Sequence, residues 1–323
     1  MEYKIAWFTE GGWEGKVPRD HPNMRTDLAW WCALDATHHP LPTIHEIPDN
    51  SYDFGIVIIP KKRQYLLEYP LVEQLKRICG KLSIMQESYY NYWQDDPINE
   101  QIWYFNFLQE MDLILCHNDI DLNYYKGLTN KRCELMPTLM IEDKIEPHIV
   151  NSDARSGVIL GGNFVWAYGG FDSYMVAQEI NPMSDDIYAP VTGRMKEEER
   201  GMDITHLDWM LWSDWINNLS RFKYGVQLGT PSAGTFNLNC AYHGIPCIGY
   251  NNVNTQKLCH PTLSVDMGDI GKAKVLANML KDDEHFYKEC SDECKSNYKS
   301  MFSEKTYIYS MNKLIKEVIN ENN

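Results

Sequence analysis

Apolar runs and helical spacings alternate along the first half of the chain. Tyr3–Thr9 (YKIAWFT) is an apolar run closed by Glu10-Gly11-Gly12, and reads as a strand entering a Gly-rich turn. Met24–Asp35 then sets Leu28, Trp31, Ala33 and Leu34 at helical spacing. Asp53–Ile59 is apolar from Phe54 onward and is stopped by Pro60, the pattern of a strand buried on both faces. Beyond it the pattern predicts a helix over Tyr69–Cys79, a strand over Lys81–Gln86, a helix over Gln101–Glu110 and a strand over Asp112–His117. Strands of this kind separated by helices imply a parallel sheet covered on both sides. His38-His39 before Pro40 reads as a turn rather than a metal site.

Ile141–Ser156 is polar and without periodicity, and is the expected linker. The alternation then restarts. Gly157–Leu160 is a strand running into Gly161-Gly162-Asn163, and Asp172–Ile180 has a helical pattern. Asp185–Gly201 is polar and charged, expected as a loop or sheet excursion, with the run Glu197–Glu199 as a solvated face. Met202–Leu207 reads as a short strand, Trp212–Ser220 as a helix, Tyr224–Leu228 as a strand, Thr235–His243 as a short helix and Ile245–Tyr250 as a strand. From Asp269 to the end the pattern is mainly helical. Two α/β domains follow: a Rossmann-like first domain over residues 1–148, a second over 149–305, and a final helix over 306–323 that returns to the first.

Composition narrows the chemistry. The chain has 323 residues, ordinary apolar (44 %) and charged (23 %) fractions, and a formal charge of −15. That sign argues against broad, sequence-independent binding along nucleic acid, though a local basic groove remains open. The opening residues carry no signal-peptide pattern, no apolar run is long enough to span a bilayer, and the nine cysteines lie mostly in apolar segments, as Cys79, Cys116, Cys240 and Cys247 do. The expectation is a cytoplasmic enzyme with reduced thiols. There is no GxGxxG after the first strand, no GxxxxGK[ST], no GxSxG, no HExxH and no CxxC. Cys290 and Cys294 share a helical face without further ligands, so no metal site is expected.

Three strand-to-helix junctions remain. They are Thr9-Glu10-Gly11-Gly12; Leu160-Gly161-Gly162-Asn163; and Leu228-Gly229-Thr230-Pro231-Ser232-Ala233-Gly234-Thr235. In parallel α/β sheets ligands sit outside the carboxyl ends of the strands, where helix N-termini offer unpaired N–H groups. Small residues there let a phosphate approach the backbone, and Ser232 and Thr235 are expected to cap the helix and donate hydroxyls. Jointly these turns point to an anionic, nucleotide-like ligand.

The stretch Tyr224–Tyr250 (YGVQLGTPSAGTFNLNCAYHGIPCIGY) resembles the donor-binding region of GT-B glycosyltransferases: a strand, a Gly/Ser loop, a short helix, then a further strand. Val253–Pro261 as a loop, Ala273–Lys281 as a helix and the helical tail match the family's layout. Within that superfamily, Ser83–Ser88 (SIMQES) and Met111–Asp119 (MDLILCHND) are similar to bacteriophage DNA glycosyltransferases acting on 5-hydroxymethylcytosine. The resemblance implies two Rossmann-like domains facing a cleft. The donor is a nucleotide-sugar, a UDP-sugar being the expected one, with no essential metal. The favoured acceptor is a 5-hydroxymethylated pyrimidine in phage DNA; a glycan, protein or small molecule, or a non-catalytic binding module, is the alternative. Donor-binding positions are Gly11, Gly12, Gly162, Asn163, Thr230, Ser232, Gly234, Thr235, Asn237 and Asn239. The chain departs from the phage enzymes in lacking basic residues after the first strand of the donor domain, where it has Gly-Gly-Asn-Phe-Val-Trp. It also has only Asn237 and Asn239 where many members hold the ribose with a Glu.

Sugar transfer needs a stabilised leaving nucleotide and a base or well-placed acceptor hydroxyl. Glu87, directly after a predicted strand, is the first candidate base; Asp20 and His21 are its rivals, and Asp119 is a weaker one with a helix-capping role. Lys16, Arg19 and Arg25 are candidates to neutralise phosphate, with Lys61-Lys62-Arg63 completing a local basic face if DNA is the acceptor. Tyr89 and Tyr90 are candidates to stack an acceptor base.

Overall fold

The structure, a computed structural model, describes residues 3–11, 13–60, 64–86, 89–143, 145, 154–182, 186–191 and 195–321. Two compact units form: Met1–His21, Thr26–Pro137 and Glu304–Asn323 make the first; Pro22–Arg25 and Thr138–Ser303 make the second.

The first unit is built on a seven-stranded sheet. Its strands are β1 (Ile5–Thr9), β2 (Gly15–Lys16), β3 (Thr37–Pro40), β4 (Tyr52–Val57), β5 (Cys79–Met85), β6 (Leu113–Cys116) and β7 (Arg132–Leu135). They lie in the order β2-β3-β1-β4-β5-β6-β7, all parallel except the two-residue β2, which pairs antiparallel with β3. Helices α1 (Thr26–Ala33), α2 (Leu71–Ile78), α3 (Ile98–Gln109) and α4 (Asp119–Leu128) connect them. β1 and β6 are buried along their whole length, as a strand covered on both faces must be.

His38-His39 form no turn. They belong to β3, where His38 is fully buried, hydrogen-bonds Thr9 Oγ1 through Nε2 at 2.8 Å and stacks on Trp31 at 4.1 Å. Its Nδ1 pairs with the Trp13 carbonyl, and a neutral imidazole with both nitrogens engaged fits a core, which a polarity count cannot register. α2 starts after Pro70 and runs into β5 at Cys79 without a loop, so the predicted helix over Tyr69–Cys79 is longer than the observed one. α4 and β7 were not anticipated. Their stretches mix polar and apolar residues, and the cap that starts α4 is Asn118, whose side chain accepts from Asp121 N; Asp119, expected to cap, is the first helical residue.

The second unit has a six-stranded parallel sheet of β8 (Ser156–Leu160), β9 (Ile187–Pro190), β10 (Thr205–Leu207), β11 (Phe222–Gln227), β12 (Cys247–Tyr250) and β13 (Ser264–Val265), in the order β10-β9-β8-β11-β12-β13. Helices α5 (Gly170–Ile180), α6 (Trp212–Leu219), α7 (Thr235–His243), α8 (Asn254–Cys259), α9 (Ile270–Asp282) and α10 (Glu284–Met301) cover it. The last helix, α11 (Glu304–Asn320), belongs to the first unit and buries Tyr307, Met311, Ile315 and Val318 there. The expected linker, Ile141–Ser156, falls largely outside the described residues. All nine cysteines are buried, and none forms a disulfide. No helix of the described residues is long and apolar enough to cross a membrane.

Strand order identifies where each unit offers a crevice. In the second unit β9 and β10 are laid down on one side of β8, and β11, β12 and β13 on the other. Successive crossovers therefore diverge between β8 and β11. In the first unit the same divergence lies between β1 and β4. Such switch points, at the carboxyl ends of the strands, are where open α/β sheets bind ligands.

Candidate functional site

In the second unit the switch point joins two of the three Gly-rich turns. Ala167, in the turn after β8, accepts hydrogen bonds from both Thr230 N and Thr230 Oγ1, each at 3.0 Å. Leu228 N donates to Ser173 Oγ at 2.9 Å, and Gln227 Nε2 to Gly161 O at 3.2 Å. The close approach requires glycine at 169, which has φ +61°; a Cβ there would lie inside the Leu228 carbonyl.

α7 begins at the end of the second turn, behind Gly234 at φ +66°. No side chain caps it. Ser232 Oγ accepts from Gly234 N at 3.3 Å, and the half-buried Thr235 is the first helical residue, so the expected caps are not formed. The first-turn N–H groups of α7 thus keep the partial positive charge that attracts an anion. Thr255 Oγ1 donates to Gly234 O at 2.8 Å and holds the turn against α8. Asn237 points inward: its Nδ2 donates to Gln256 Oε1 at 2.8 Å, and Asn239 is buried as well.

Gly162 and Asn163 are buried at the end of β8. Asn163 has no exposed surface, and neither its Nδ2 nor its Oδ1 has a hydrogen-bond partner. Beside it stands a carboxylate that the sequence placed in solvent. Glu199 is 2 % exposed, and its Oε1 accepts from Phe164 N at 3.1 Å and Lys196 N at 3.0 Å. Two backbone donors draw this member of the acidic run inward; local charge density gives no sign of that.

In the first unit β1 ends at Thr9, whose hydroxyl bridges His38 and the Gly11 backbone. Burial holds His38 down to a pKa of about 4, so it is a neutral acceptor or donor there. Gly12, Lys61-Lys62-Arg63 and Glu87 lie outside the described residues. The candidate cations are engaged within the chain. Lys16 pairs with Asp35 at 2.6 Å, and Arg19 forks onto Glu304 at 2.7 and 2.9 Å. Arg25, which belongs to the second unit, donates to Met210 O at 3.1 Å and lies over the Trp209 ring. Asp20 is exposed; His21 meets the edge of Trp13 at 5.1 Å.

The ends of β5 and β6 form a second cluster. Tyr89 and Tyr90 are half-buried, and Tyr90 stacks on Tyr124 at 4.0 Å. Tyr90 N donates to Asp121 Oδ1 at 2.9 Å, and Asn118 Nδ2 donates to Asp121 Oδ2 at 2.7 Å. Burial raises the Asp121 pKa to about 6. His117 stacks on Trp30 at 4.7 Å, pairs through Nδ1 with Met136 O at 3.3 Å, and leaves Nε2 buried without a partner. Burial holds His117 down to about 3, so it is neutral. Asp121 and His117 were not among the sequence candidates. Asn118-x-x-Asp121 is a helix-start signature that could have marked the first; nothing local marks the second.

No protein-family model matches the chain, and no curated protein matches it. Solved structures do. A sucrose-phosphate synthase from Thermosynechococcus elongatus superposes with a TM-score of 0.69 at 10 % identity, covering 98 % of this chain and 99 % of that one. The Anabaena protein HepE in complex with UDP-glucose gives 0.69 at 9 % identity over 98 % and 100 %. An alpha-glucosyltransferase in complex with UDP-glucose and DNA containing an abasic site gives 0.64 at 12 % identity over 97 % and 99 %. The chain shares their fold: two α/β units with parallel sheets, the GT-B architecture.

Proposed function

We propose that this protein is a glycosyltransferase that moves a hexosyl group from a UDP-sugar to a hydroxyl acceptor. The observation that carries the reading is the uncapped start of α7, set at the β8/β11 switch point and laced to the β8 turn. It offers N–H dipoles to a diphosphate where such sheets bind ligands. The solved complexes with UDP-glucose on this fold support the donor class.

In the reaction the bond from the anomeric carbon to the diphosphate oxygen breaks and one to the acceptor oxygen forms. The acceptor proton passes to a base and negative charge collects on the leaving UDP. Gly162, Asn163, Thr230, Ser232, Gly234 and Thr235 are assigned to the donor, with the α7 N–H groups stabilising the leaving charge. Glu87 is assigned as base, with Asp20 and His21 as rivals, and the neutral His117 Nε2 as an acceptor for a sugar or acceptor hydroxyl. Activity without an essential metal is expected.

The acceptor we carry forward is a 5-hydroxymethylated pyrimidine in DNA, supported by the end-to-end likeness to a DNA-bound alpha-glucosyltransferase. The internal pairing of Lys16, Arg19 and Arg25 favours the competing reading, a small-molecule or glycan hydroxyl. Calorimetry with UDP, GDP and CMP tests the donor: UDP binding is expected, and no binding of any of them at millimolar concentration overturns the function. Binding to hydroxymethylated duplex across a salt series tests the acceptor, and no complex at low salt removes DNA.

A further inference from the structure

A nucleoside diphosphate carries more negative charge than helix N–H dipoles alone neutralise, and a cation normally shares it. The turn after β8 has no basic residue. Arg155 sits at the opposite end of β8, buried, donating to His243 O at 2.7 Å and Gly244 O at 3.3 Å. Arg221 and Lys223 likewise stand where β11 begins. Arg25 is held at Met210 and Trp209, and Arg200 pairs with Glu197 at 3.2 Å.

The segment between β9 and β10 changes this picture. Through Glu199 Oε1, the backbone N–H groups of Phe164 and Lys196 share one acceptor. The two chain segments are therefore no farther apart than two hydrogen bonds laid end to end. Lys196 is exposed and takes part in no ion pair among the described residues. Its four-carbon stem is long and mobile enough to carry an ammonium along the β8 turn. Two further observations mark the same place as incomplete: the buried amide of Asn163, adjacent to Phe164, has no partner on either atom, and Glu199 Oε2 has none. Buried polar groups are mostly hydrogen-bonded, and one without a protein partner calls for a water, an ion or a ligand.

Resting on the nucleotide-sugar reading above, we propose that Lys196 binds the diphosphate of the donor, with Asn163 Nδ2 as the neighbouring hydrogen-bond donor. Glu199 is a positioning residue: it accepts the two backbone N–H groups that bring Lys196 to the turn. A cation borrowed from the β9–β10 excursion thereby replaces those missing after β8.

The test compares UDP with uridine on the full chain, by calorimetry for UDP and ligand-observed NMR for uridine. Lys196→Ala is expected to weaken UDP ~10-fold or more, the scale of a charge-assisted contact, while uridine is unchanged. Glu199→Ala should weaken UDP in the same selective way, and Glu199→Gln, which keeps the accepting oxygen, should stay within ~3-fold of wild type. Wild-type binding of UDP that Lys196→Ala leaves intact, or an equal loss of UDP and uridine, overturns the assignment. A wild-type protein that binds neither UDP nor GDP overturns the donor reading itself, a different result.

Discussion

Asp121 Oδ1 accepts the backbone N–H of Tyr90 at 2.9 Å, so a single buried carboxylate ties the start of α4 to the segment leaving β5. The same carboxylate receives Asn118 Nδ2, whose Oδ1 in turn caps Asp121 N. The segments that begin at Tyr89 and at Asn118 are therefore held as one piece, the first of them two residues beyond Glu87 in the sequence.

Asp121→Ala removes an acceptor from two buried donors. A loss of about 1–3 kcal/mol in stability is expected from urea unfolding. Transfer should fall mainly through kcat, because the segment that follows Glu87 loses its anchor while the second unit's donor turns are untouched. Unchanged stability and unchanged kcat would remove the tie from any role.

Acid should destabilise the protein well before its ordinary carboxylates titrate. Burial lowers His38, His243 and His260 to about 4 and His117 to about 3. The unfolded chain takes up these protons near the unperturbed ~6.5 and the folded chain does not, so their contribution is complete above that pH and is lost as pH falls toward 4. Each group accounts for at most ~1.4 kcal/mol per pH unit in that window. Asp121, raised to about 6, acts in the opposite sense, since the folded state then holds its proton longer as pH rises. Burial lowers His39 as well, and the lowered histidines together outweigh Asp121, leaving a net fall in stability from pH 6.5 to 4.5, which thermal unfolding across buffers measures. A flat profile would contradict the burial of these rings.

Gly169→Ala and Gly234→Ala should each destabilise by more than ~1 kcal/mol, since both positions have positive φ and no room for a Cβ. Gly169 abuts the Leu228 carbonyl and Gly234 abuts Thr255 Oγ1, so either change pushes apart the pieces of the proposed donor site. UDP binding should weaken along with stability. An alanine variant at 169 with wild-type melting and wild-type UDP affinity would show that the two turns need not touch.

The base assignment divides three ways. Glu87→Ala is expected to lower transfer ~10²–10⁴-fold with little change in UDP affinity, as removal of a general base does. Asp20→Ala and His21→Ala should then retain most of the activity. If instead all three variants keep full transfer, none of them is the base, and the proton goes elsewhere.

Periodicity alone determined the class of fold. Apolar runs such as Phe54–Ile59 and Leu113–Cys116 are the pattern of a doubly covered parallel sheet, and the Gly-rich turns that follow β1, β8 and β11 mark carboxyl ends. Those signals are local, so one chain is enough to read them. β3, α4 and β7 escaped because polar residues interrupt their apolar ones, and what buries them lies far along the chain: Trp31 and Thr9 for His38, β6 for β7. The same holds for the site. That the β8 and β11 turns are the pair at the switch point is a fact of strand order, which depends on where each crossover lands and leaves no mark in composition. Glu199 reads as one more surface acid in an acidic run, and only the fold brings Phe164 N to it. Hydrogen bonds between residues far apart in sequence decide which polar groups are solvated and which are held in place, and tertiary structure alone supplies them.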